Sequence, residues 1–223
     1  MATTLHGASR AFILVLSGAL ACGGGDLLLP DPPGAAAVVL TKAGGDNQVG
    51  VVGEQLEKPL VVKVTAGQQP AVGKEIRFVF TDAAGVVTPS QAVTNSAGEA
   101  SAKWRLGSAP GPQTVVAQLV VADTVEPQVQ EFTAQAGPGA PDTLSPAPGS
   151  PTSQPGRRGQ EVGTHPVIQV VDRFGNAVPQ VSVAWQVTSG GGEVSEAISL
   201  TDAAGKATVK WTLGNKRGIQ RHR

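Results

Sequence analysis

The residues whose types could do chemistry are few, and their spacing argues against catalysis. The histidines are His6, His165 (before Pro166) and His222 (beside the C-terminus). Ser189 to Gly192 reads SGGG, a glycine run between β-like segments rather than a phosphate cradle opening a helix. Glu193 and Glu196 follow it and read as a solvated carboxylate pair on a hairpin. No nucleophile-elbow, zinc-protease, P-loop or dinucleotide motif occurs in context. Nothing assembles a nucleophile, a base and an orienting group, so the expectation is a non-enzymatic chain without a cofactor. Asp82, Asp172 and Asp202 could each offer oxygen to calcium, which takes about 6–8 such ligands. They stand alone in turn-like stretches, so they are read as closing local turns, and no metal is expected. Lys plus Arg equals Asp plus Glu at 17 each, which excludes an electrostatic case for nucleic acid.

Cys22 is the one cysteine, and its setting is specific. Arg10 is followed by AFILVLSGALA, Ala11 to Ala21, without a charge. The run is shorter than the roughly 20 apolar residues a membrane span needs, and it ends in Ala19-Leu20-Ala21. Residues 1–21 therefore read as a signal peptide. Ser17 to Gly23, SGALACG, resembles a lipoprotein lipobox, with Ala19 where leucine is usual and Leu20 one step late. The resemblance implies that Cys22 becomes a lipidated N-terminus held in the bacterial envelope. Gly23 after the cysteine, rather than Asp, implies the outer membrane. A general signal peptidase would cut the same bond and leave a plain secreted protein. Residues 22–35, rich in Gly and Pro, read as a tether.

The elements behind these residues repeat. At an offset of 107 residues KWRLG (Lys103 to Gly107) matches KWTLG (Lys210 to Gly214), and TNSAGEA (Thr94 to Ala100) matches TDAAGKA (Thr201 to Ala207). Without a gap, the same offset pairs Pro59 with Pro166, Val64 with Val171, and Gln113 with Gln220. Twenty-nine Gly and 17 Pro punctuate short runs with period-two alternation, such as Ile76 to Phe80 and Ala100 to Leu106. This pattern predicts tandem antiparallel β-sandwiches, one over 36–137 and one over 138–223. Trp104, Trp211, Phe78 and Trp185 fall on the apolar faces and are expected to anchor the cores. Gly98, Gly205 and the pair Gly175-Asn176 fall where turns call for positive φ. SPAPGSP, Ser145 to Pro151, reads as an extended connector. At the same offset the counterparts of the last strands of the first sandwich lie beyond Arg223, so the second sandwich is expected to be C-terminally incomplete. The basic stretch Asn215 to Arg223 keeps the repeat register at Gly218 and Gln220, and is read as the mark of a truncated gene or a frame change rather than a nucleic-acid arm.

The second repeat reads PVIQVVDRFGNAVP (Pro166 to Pro179), then TDAAGKA from Thr201 and WTLG from Trp211. It resembles the group 1 bacterial Ig-like domain of invasin and intimin adhesins. The first repeat keeps the later markers and has TAGQQP, Thr65 to Pro70, in place of the D-x-x-G-N turn. The resemblance implies a cell-surface role in adhesion or display. The partners it implies are the membrane, through the anchor on Cys22, and a protein or glycan receptor on another surface. A carbohydrate- or protein-binding accessory module of a larger secreted protein is the other reading.

Overall fold

The computed structural model describes residues 37–80, 85–120 and 128–215. The signal peptide, the tether with Cys22, Asp82 and the end of the basic tail lie outside the described residues. The described residues fall within one compact unit, and within it the two repeats keep separate apolar cores.

Alternating apolar residues make the strands, because successive side chains on a strand point to opposite faces. In the first repeat the strands are β1 Val38–Gly44, β2 Gln48–Val51, β3 Leu60–Ala66, β4 Gln69–Pro70, β5 Glu75–Phe80, β6 Gly85–Thr88, β7 Gln91–Val93, β8 Glu99–Leu106, β9 Gly111–Leu119 and β10 Val129–Gly137. One sheet runs β1-β3-β8-β6 with β4 on β3; the other runs β2-β10-β9-β5-β7. The pairing is antiparallel except for β2 on β10, which is parallel, Gln48 opposite Ala134. The faces of β8 and β9 show why these sequences pair into layers. Ala100, Ala102, Trp104 and Leu106 point inward from one sheet, and Gln113, Val115, Ala117 and Leu119 from the other.

The second repeat contains β11 Thr143–Pro146, β12 Val167–Val171, β13 Ser182–Ala184, β14 Glu193–Val194, β15 Ile198–Leu200, β16 Lys206–Thr208 and β17 Trp211–Thr212. These pair as β11-β12-β16, β13-β15 and β14-β17. The pairings copy the first repeat. Val87 opposes Trp104 as Val194 opposes Trp211, and Ile76 opposes Ala92 as Val183 opposes Ser199. The stretch read as a connector is corrected here. Ser145 and Pro146 lie in β11, paired to Gln169 and Ile168, and Ala147 is buried. Pro146 suits this edge strand, where an absent N–H costs no ladder bond.

The gapless register is also corrected. The N–H of Val64 donates to Gly98 O, and that of Val170 donates to Gly205 O. Val170, not Val171, is therefore the counterpart of Val64, at an offset of 106. The side chain of Gln48 brackets Lys58 with two hydrogen bonds, and Gln154 brackets Thr164 in the same way, again 106 apart. The offset becomes 107 after the D-x-x-G-N turn, because that turn is one residue longer than Thr65 to Pro70.

Candidate functional site

A shared apparatus holds the turns in both repeats. Buried Thr94 donates from Oγ1 to Ala71 O (2.6 Å) and accepts the N–H of Lys74 (2.9 Å). Thr201 does the same with Val178 O (2.7 Å) and Val181 N–H (2.8 Å). Asn95 Oδ1 accepts from the N–H of Ala97 and Glu99; Asp202 Oδ1 accepts from Ala204 and Lys206. Gly98 and Gly205, with φ of 74° and 69°, complete these hairpins. A Cβ on either would stand 2.5 Å from the carbonyl of Val64 or Val170, so glycine is required for close approach as well as for conformation.

Among the described residues Asp172 is the one buried charge. Its Oδ1 accepts the N–H of Phe174 and of Asn176, both at 2.9 Å. Its Oδ2 accepts Gly139 N–H (2.8 Å) and Asn176 Nδ2 (2.9 Å). Burial alone would raise its pKa. The hydrogen bonds from Asn176, Gly139 and Phe174 outweigh that, and the carboxyl sits below its ordinary value of 3.8. Gly175 takes the left-handed conformation, φ 84°. Asn176 does not, and on this point the reading of the pair is corrected. Its contribution is the side-chain amide, which also donates to Ser108 O (2.8 Å). Beside the turn Arg173 stacks over Phe174, 4.6 Å from the ring centre. A shallow cleft of about 180 Å3 lies between Glu54, Pro141, Asp142 and Arg173.

The Asp172 carboxylate and the Asn176 amide of this turn hold backbone groups and each other. The Asp172 oxygens face four N–H donors, an arrangement that suits a fixed anion and opposes a cation. Among the described residues no three His, Cys, Asp or Glu side chains gather as a metal would need. His165 pairs with Glu161, and Glu193 and Glu196 are exposed. Trp104 is fully buried, and Trp211, Phe78 and Trp185 are buried, with Trp185 Nε1 donating to Ser199 Oγ (2.8 Å).

Two polar clusters were missed in the sequence. Gln113 is buried, accepts Gly107 N–H (2.8 Å) and donates to Ala109 O (2.8 Å). Its match with Gln220 was the available signal. Asp46 pairs with Lys42 and accepts the N–H of Thr133 and Asn47, each at 2.9 Å. Burial would raise its pKa, but Lys42 and those N–H groups hold it below the ordinary value. No sequence signal marked it, because Thr133 lies far away along the chain.

No protein-family model and no curated protein matches the chain. Solved structures do. FdeC, an Escherichia coli adhesin, aligns with a TM-score of 0.52 and 22% identity over 86% of this chain and 59% of its own. The D00–D0 domain of intimin aligns at 0.41 and 18% identity, over 81% of this chain and 88% of that one. The Yersinia pseudotuberculosis adhesin InvE aligns at 0.38 and 16%, over 80% and 51%.

Proposed function

We propose that this all-β chain, whose Ig-like sandwich fold is shared with a bacterial adhesin, is a non-enzymatic cell-envelope protein. Its modules stand off the outer membrane on the Gly/Pro tether behind lipidated Cys22, and serve adhesion or structural display. The observation that supports this most is the fold held in common with FdeC across 86% of the chain. The use of turn acids and amides on backbone agrees with it, since display needs a fixed shape and no reactive group. A protein or glycan on another surface is the receptor this reading implies. Among the described residues Phe174 is the one exposed large aromatic, which disfavours the sugar-binding accessory reading, where a row of rings is the usual platform.

The test is metabolic labelling with an alkyne fatty acid in a bacterial host. Membrane-associated, labelled protein is expected, and Cys22→Ser should lose the label. Mass spectrometry showing an unmodified Cys22 N-terminus in the culture medium would overturn the anchor.

A further inference from the structure

The surroundings of Asp172 are larger than a turn requires. Closing the turn takes the N–H groups of Phe174 and Asn176, which one carboxylate oxygen already accepts. The second oxygen is buried against Gly139 N–H, in the segment joining β10 to β11. Burying a carboxylate is costly unless its lone pairs are satisfied, so this linker amide is part of what lets Asp172 sit inside. Asn176 Nδ2 bridges from the same oxygen to Ser108 O, just past β8 in the first repeat. Phe174 leans the same way. A Cβ on Gly53, whose φ is +71°, would stand 2.6 Å from Phe174 Cζ, so the ring closes directly on first-repeat backbone. The linker and two first-repeat loops thus meet one turn of the second repeat. The corresponding turn of the first repeat, Thr65 to Pro70, is one residue shorter and has no acid.

We propose that the Asp172–Asn176 turn is a docking element that locks the second sandwich onto the first, with Gly139 N–H, Ser108 O and the Gly53 backbone as its receptors. The extra residue of this turn is what lets Asp172 cap its own loop and hold the linker at once. The two sandwiches then move as one body, and the lock does not depend on the lipid anchor.

The test uses the chain from residue 22 with Cys22→Ser and spin labels at two exposed positions, Lys103→Cys in β8 and Lys210→Cys just before β17. A single narrow inter-label distance distribution is expected. Combining Asn176→Ala with Phe174→Ala should broaden it, because the backbone N–H of residue 176 still closes the turn while both cross-contacts are gone. Asp172→Asn should speed exchange of the Gly139 amide by about tenfold or more, the loss expected for a hydrogen bond to a charged acceptor. A broad distribution in the parent chain, or one unchanged in the double variant, overturns the proposal. Should the double variant lose amide protection in β12, Phe174→Ala alone, at an exposed tip, decides by the same distribution.

Discussion

Trp104 and Trp211 hold the same place in two copies of one sequence, yet their surroundings differ. Trp104 is sealed between sheets, because β9 and β10 bring Val115, Ala117 and Phe132 over the face that β8 presents. Trp211 pairs through β17 with β14, and no described strand of the second repeat takes the place of β9 or β10. Twenty residues form the first buried cluster and six the second, among the described residues. Identical local pattern therefore yields unequal cores. Burial is supplied by the facing sheet, and a strand carries only half of it. The two neighbours of β5 show the same contrast: β5 pairs with both β7 and β9, while among the described residues β13 pairs with β15 alone.

The largest expected effect is in local opening. With whole domains stable by only about 5–15 kcal/mol, the repeat with the smaller buried cluster among the described residues opens first. Limited proteolysis should cut within the second repeat and leave a protected fragment ending near Gly137. Equal protection of both halves would erase the comparison.

Next in size are the tryptophans. Trp104→Ala should cost about 3–5 kcal/mol in urea melts, as other large-to-small core changes do, and Trp211→Ala should cost less. Acrylamide should quench Trp104 poorly, a measurement made with Trp185 and Trp211 replaced by Phe. An equal cost at both positions would mean the second core is as well covered as the first.

The smallest effect is in acid. The folded pKa of Asp172 lies below 3.8, so its contribution is fully present above that value. It is lost as pH falls from 3.8 through the lower folded value. Asp46 follows the same sign in the first repeat, but with a side chain 21% exposed and its lysine in solvent. Asp172→Asn should lower stability at pH 7 and flatten part of the acid limb of the second repeat, measured by melts at pH 7 and pH 3. An unchanged limb would show that Asp172 does not set it.

Much of the fold could be read from residue order. The alternation in Ala100 to Leu106 specified β8 and its inward face, and the TNSAGEA and TDAAGKA hairpins were visible from their Asn, Asp and Gly. The short strands β2, β6 and β7 were not. Each is three or four residues long with little alternation, and pairing with a neighbour alone makes it a strand. The one-residue slip at the D-x-x-G-N turn was hidden because valines stand at both Val170 and Val171, so a chemical match survives in either register. Only hydrogen bonding distinguishes them.

By itself the amino-acid order determined that this is a β chain, that its plan occurs twice, and where its turns bend, since period-two patterning and turn chemistry are local. The tertiary structure decided that Asp172 holds a linker as well as a loop, that Pro146 belongs to a strand, and that the two tryptophans are unequally covered. Each of these depends on a backbone group or a facing sheet supplied from elsewhere in the chain, and no local pattern records what will stand opposite it.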